Sequence, residues 1–173
     1  MTEKNKERLE FARSIKNEYP LDKFGICQID SSARIGDYGF GWVRNEIGEL
    51  ESMPHQGNVV IEDNVEVKSF VTIDRAVVGS TIINKGTKID HHCHIAHGVK
   101  IGVWNTFAAH CIIEGSCEIG DYNTFGTGVI IQKKVKVGSH CIIGSGSVIT
   151  KDVPDYSVMV GNPARLIHKN DED

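Results

Sequence analysis

Large apolar residues return every six positions along the middle of the chain: Ile83, Ile89, Ile95, Ile101, Phe107, Ile113, Ile119, Phe125, Ile131, Val137, Ile143 and Ile149. An α-helix buries positions about 3.6 apart and an ordinary strand about 2 apart, so an unbroken period of six describes one short strand and one corner, repeated. Two positions before each of these stands a smaller group: Thr81, Thr87, Cys93, Val99, Asn105, Cys111, Cys117, Asn123, Val129, Val135, Cys141 and Ser147. Alternation along a strand turns that position inward as well. Each hexapeptide therefore gives the core one large and one small side chain, and the other residues go to surface and turn. The pattern predicts an all-β parallel solenoid whose function resides in the outward residues.

Around that stretch the pattern changes. Residues 2–17 carry Leu9, Phe11, Ala12 and Ile15 among charges and predict a short amphipathic helix that caps the open end of the solenoid. Ile29 and Ile35 share the phase of six, which starts a first coil near residue 27. Residues 37–57 break the period with Phe40, Trp42 and Met53, and a long loop rich in large apolar groups is more often functional than idle. The period resumes at Ile61, Val67 and Ile73 and slips by four residues between Ala76 and Ile82. Pro154 and Pro163 then leave the pattern, and the tail is expected to run as an extended arm. The expected organisation is a lead-in at 1–26, a β-helix at 27–153 with the insertion loop 37–57, and an arm at 154–173.

Composition narrows the function. A chain of 173 residues with a net charge of −4 reads as one domain with no electrostatic footprint for nucleic acid or an anionic membrane. Four of the five cysteines (Cys93, Cys111, Cys117, Cys141) fill the small inward position, where a thiol acts as a compact hydrophobe, and they are read as reduced. Cys93 and Cys111 are 18 apart, so a bridge between stacked neighbours is not geometrically excluded. No apolar N-terminal run resembles a signal peptide or a membrane span, and a cytoplasmic protein is expected.

If three hexapeptides make one coil, residues 18 apart stack at about 4.8 Å. His97, Gly115, Lys133 and Lys151 then form one ladder. Beside it the reading places Ala108 with Gly126 and Gly144, and His110 with Gly128 and Gly146, a smooth groove for a thin amide-bearing ligand. Small corner residues also simply permit tight turns. Three coils span about 14 to 15 Å, the length of a pantetheine arm with phosphates at its far end. The HHCH run at 91–94 invites a zinc reading, but Cys93 turns inward while His94 turns outward, so the four do not converge on one ion. No metal is expected.

The segment GFG at 39–41, followed by VVIEDNVEV, TIDRA and KIDHHCHIAHGVKIG, resembles the hexapeptide-repeat acyltransferases, and most of all the UDP-3-O-acylglucosamine N-acyltransferases of lipid A synthesis. The tail GNPAR at 161–165 is similar to that of the short sugar acetyltransferases. The resemblance implies a left-handed parallel β-helix, a homotrimer, and acyl transfer onto a nucleotide-linked amino sugar. Where those lipid A enzymes carry an asparagine and a second active-site histidine, this chain has His91 and Lys134, which shifts the expected donor to acetyl-coenzyme A or another small acyl thioester. His97, matching the histidine of the IAH motif, is the implied general base, and Asp90, from KID, its orienting carboxylate. Ala108, Gly115, Gly126, Gly144, Lys151 and Arg165 are the donor-binding candidates. Phe40, Trp42, Asp74, Arg75, His91 and His110 are those for the acceptor. A sugar hydroxyl would need the same base, so O-acetyl transfer stays open. The γ-class carbonic anhydrases have a similar repeat and bind zinc through a His-x4-His pair and a third histidine; His92 and His97 meet that spacing, whereas His55 falls in the irregular loop. A non-catalytic solenoid scaffold is the third class, and the corner around His97 argues against it.

Overall fold

A computed structural model of the chain describes Glu7 and residues 22–170. It is a left-handed parallel β-helix, a triangular prism with three sheets as its faces. Sheet A stacks Lys23–Phe24, Asn58–Ile61, Ser80–Ile83, Lys100–Ile101, Glu118–Ile119 and Lys136–Val137. Sheet B stacks Gln28–Ile29, Glu66–Val67, Lys88–Ile89, Thr106–Phe107, Thr124–Phe125 and Ile142–Ile143. Sheet C stacks Arg34–Asp37, Thr72–Asp74, His94–Ile95, Ile112–Ile113, Ile130–Ile131 and Val148–Ile149. Neighbours in sheet C run in register from Ile95 to Ile113 to Ile131 to Ile149, so three hexapeptides do make one coil.

All twelve large and all twelve small inward positions of the central repeat are buried. The amide oxygens of the small inward asparagines are satisfied from within, while Asn123 Nδ2 has no hydrogen-bond partner among the described residues. Asn105 Oδ1 accepts the Asn123 N–H at 2.9 Å, and Asn123 Oδ1 accepts the Cys141 N–H at 2.7 Å, so an internal amide ladder ties three coils together. The five thiols are free; Cys93, Cys111 and Cys117 donate to backbone carbonyls 15 residues further along the chain. Most corners hold one residue in the left-handed region, where L-residues are uncommon. His92, His110, Gly128 and Gly146 take this conformation between sheets B and C. The cost is offset by hydrogen bonds to the neighbouring coil, such as His110 N–H to His91 O at 3.0 Å, and by ring stacking of Phe70, His92 and His110.

Both ends differ from the sequence expectation. The first paired strand is Lys23–Phe24, a few residues earlier than the start expected near 27, because it finds parallel partners in Val60 and Ile61. The tail is extended, as expected, but it does not leave the solenoid. Ser157–Gly161 pairs in parallel with Ile142–Ile143, and Ala164–Lys169 folds back antiparallel on it, so the open edge of sheet B is covered by a hairpin. The helix expected over 2–17 lies outside the described residues, Glu7 apart. Residues 37–57 form a projecting hairpin of Trp42–Arg44 and Leu50–Ser52.

Candidate active site

The corner between sheets C and A gathers the ionisable groups. Register places Thr72 beside His94 and Ile73 beside Ile95, so Asp74 leaves its strand next to Ala96, one residue from His97. Thr81 locks the two turns together. Its hydroxyl donates to the Asp74 carbonyl at 2.7 Å and accepts the Gly98 N–H at 2.8 Å. His94 Nδ1 lies 2.7 Å from Thr72 Oγ1, and its Nε2 is 3.8 Å from Asp74 Oδ2. Burial raises the Asp74 carboxyl above the ordinary carboxylate range, and the neighbouring His94 and His97 pull it part of the way back.

Glycines shape the space around His97. A Cβ on Gly115, one coil along, would come within 2.7 Å of both Cε1 and Nε2 of the His97 ring. A Cβ on Gly39 would lie 2.8 Å from His55 Nε2, 3.0 Å from Asp74 Oδ2 and 3.3 Å from His97 Cδ2, and one on Gly41 would lie 3.1 Å from His55 Cε1. This explains the GFG motif: both glycines make room for His55, while Phe40 between them reaches the site. The result is an open cleft of about 470 Å³ lined by Phe40, Asp74, His94, Ala96, His97, Glu114, Gly115, Ser116, Lys133 and Lys134.

Asp90 sits at the next corner, between sheets B and C, where its carboxylate accepts the His91 N–H at 2.8 Å as a turn aspartate does. It lines a separate groove with Lys68, Lys88, Ala108 and Gly126, so it is not brought together with His97; Asp74 is. His91 is exposed beside Asp90, and His110 is engaged in the ring stack with His92. Trp42 packs edge-on to Phe40 at 6.2 Å on the hairpin, and Arg75 lies 5.7 Å over the Tyr38 ring, with its Nε donating to Gly36 O at 2.6 Å. Lys151 is exposed one coil beyond Lys133 on the His97 corner, whereas Arg165 is on the terminal strand of sheet B.

The smooth groove expected beside His97 does not lie there. Ala108, Gly126 and Gly144 stand at the opposite edge of sheet C from the His97 ladder rather than beside it, because corners alternate every six residues and a given corner recurs only every 18. Gly126 is a packing glycine whose Cβ would meet Ser145 N at 2.6 Å, and Gly144 is covered by Val160. His92 is likewise at the far corner from His97. Among the described residues no group of three or more His, Cys, Asp or Glu is arranged to hold a metal ion.

His55 and His94 were not selected from the sequence. His94 carried a signal, since it precedes inward Ile95 on the strand that leads to His97. His55 carried none beyond its place in an apolar insertion. It is wholly buried and edge-on to His97, ring centroids 5.3 Å apart at 73°. Burial first, then His97 and Arg75, push its imidazole below the usual histidine range, while the hydrogen bond to Met53 opposes this.

Fold and repeat together define a hexapeptide-repeat left-handed β-helix protein: residues 116–151 match the bacterial transferase hexapeptide family, described by six repeats. Within that class the chain is similar to the UDP-3-O-acylglucosamine N-acyltransferases, with 51% identity over 75 residues in Christiangramia forsetii, 43% of this chain and 22% of that one. In Porphyromonas gingivalis the identity is 47% over 83 residues, 48% and 24% of the two chains. The aligned stretch thus spans about a quarter of the length of these curated relatives. Among solved structures, UDP-N-acetylglucosamine O-acyltransferase from Moraxella catarrhalis superimposes with a TM-score of 0.74 at 25% identity, covering 86% of this chain and 56% of that one. A variant of GDP-perosamine N-acetyltransferase from Caulobacter crescentus, in complex with CoA and GDP-perosamine, shares the fold at a TM-score of 0.67 and 20% identity, over 83% and 57% of the chains. No helix among the described residues is long and apolar enough to cross a membrane.

Proposed function

We propose that this protein is an acyltransferase that moves an acetyl or other small acyl group from coenzyme A to the amino group of a nucleotide-linked amino sugar, with His97 as general base. One observation carries the reading: the His97 imidazole and the buried carboxylate of Asp74 line one open cleft, and Gly115 leaves room beside the ring. Acyl transfer needs a base for the acceptor's proton and a place for a thioester beside it. In the proposed step the acceptor nitrogen attacks the thioester carbonyl as its proton passes to His97. The tetrahedral oxyanion is held by a backbone N–H, for which we assign that of Gly115 at the cleft floor. Collapse breaks the C–S bond, and the leaving thiolate takes the proton back from the imidazolium. Asp74 holds the imidazolium during the interval, the part first given to Asp90.

Lys133 and Lys151, on the His97 corner, are the cations assigned to the donor's phosphates, with Arg165 on the terminal hairpin as a second source. The grooved corner of Ala108 and Gly126 and the His97 corner flank opposite edges of one sheet, so a single chain does not bring them together; a cyclic homotrimer, in which one subunit's groove faces the next subunit's His97, does. A cytoplasmic setting fits an enzyme that uses coenzyme A and nucleotide sugars. The similarity of nearly half the chain to N-acyltransferases supports an amine acceptor over a hydroxyl.

The test is mass-spectrometric detection of acetyl transfer to a panel of nucleotide-linked amino sugars, with an acyl carrier protein thioester as competing donor. Transfer from coenzyme A that falls about 10²- to 10⁴-fold in a folded His97→Ala variant is expected. Absence of transfer to every acceptor, or an unchanged rate in that variant, overturns the assignment.

A further inference from the structure

The step above makes no use of His55, which follows the Trp42–Arg44 and Leu50–Ser52 hairpin and is wholly buried. Its Nδ1 is 2.9 Å from the Met53 carbonyl oxygen. A carbonyl only accepts, so Nδ1 carries the proton and the neutral ring is left with a lone pair on Nε2. That atom is buried and has no hydrogen-bond partner among the described residues. It faces the same point as Asp74 Oδ2 and the Cδ2 edge of His97, the point that any side chain at position 39 would fill. Buried polar atoms without partners are few in folded proteins and call for an account.

We propose that His55 is a positioning residue of the transfer site: a buried neutral imidazole, pinned by Met53, whose Nε2 lone pair orients the His97 ring and favours its protonated form during turnover. The inference rests on the acyl-transfer reading of His97. When His97 takes the acceptor's proton, its charge spreads over the ring C–H groups, and a fixed lone pair at low dielectric stabilises that charge. A charged His55 would do the reverse. Burial first, and then His97 and Arg75, push its imidazole below the usual histidine range, toward the neutral form. The groups facing it are Asp74 and Arg75 from sheet C, His97 from the corner, and the Tyr38 ring, edge-on at 6.1 Å, from the lead into the hairpin.

Two substitutions separate position from packing. His55→Phe keeps a ring and removes both polar atoms, while His55→Gln sets an amide near the Nε2 position. The Phe variant should fold, lose about 10- to 100-fold in kcat with the KM of both substrates unchanged, and move the acid limb of kcat/KM to lower pH. The Gln variant should recover part of the loss. NMR titration of His97 in the free protein should show the same downward shift in His55→Phe. An unmoved His97 titration, or equal activity in the Phe and Gln variants at matched thermal stability, overturns the proposal. The titration needs no turnover, so a moved His97 in a protein lacking acyl transfer would support the coupling and refute only the function.

Discussion

Gly115 offers a perturbation whose effects on fold and on chemistry run in opposite directions. Its φ is not in the left-handed region, so alanine is compatible with its backbone. Gly115→Ala should then be neutral to about 1 kcal/mol stabilising, by reducing the freedom of the unfolded chain. The added methyl, however, would stand 2.7 Å from Cε1 and Nε2 of His97. Non-bonded carbons settle at about 3.5 to 4.0 Å, so the ring must retreat by roughly 1 Å. Because the obstacle is the end of a side chain, the retreat costs the fold little. A misplacement of about 1 Å typically costs on the order of 10²-fold in rate. Release of the coenzyme A thiol, followed at saturating acceptor, should therefore show kcat reduced about 100-fold, alongside an unchanged or slightly raised melting temperature. A wild-type kcat in this variant would refute the argument that Gly115 holds the floor beneath the catalytic imidazole. A fall in melting temperature would refute the claim that its glycine serves the site rather than the coil.

Three further outcomes follow from the same structure. Ile113→Asp would bury an unpaired carboxylate between Ile95 and Ile131 and should cost several kcal/mol, measured by denaturant unfolding. Asn123→Ala leaves the Cys141 N–H without its acceptor in the core and should cost about 1 to 3 kcal/mol by the same measurement. Asp74 has a raised carboxyl, so the folded chain keeps a proton that the unfolded chain gives up, and stability falls as pH climbs from about 4 through the folded value. Asp74→Asn should remove that decline, so that melting scans show the variant at least as stable as wild type at pH 7 and lose the difference below about pH 4, while acyl transfer drops.

How much was legible follows from the repeat itself. A period of six states which side chains are inside, because burial of an apolar group is decided locally by strand alternation, and every inward position from Thr81 to Ile149 is buried. His97 and Gly115 were legible as one ladder for the same reason, lying 18 apart within the uninterrupted stretch. The carboxylate was not. The four-residue slip makes Thr72 and His94 neighbours at a separation of 22, which carries Asp74 to the His97 corner and leaves Asp90 at another. Period alone also does not separate one corner from the next, and the Ala108 and Gly126 corner lies a full sheet width from His97.

His55 marks the limit. Its burial depends on the chain returning to the prism after the projecting hairpin and on two glycines yielding space, contacts between segments that no local pattern encodes. The amino-acid order by itself determined the coil, its core and the ladder that carries the base. Only the tertiary structure decided which carboxylate and which second imidazole stand beside that base, because insertions shift the stacking register without disturbing the alternation that keeps the core dry.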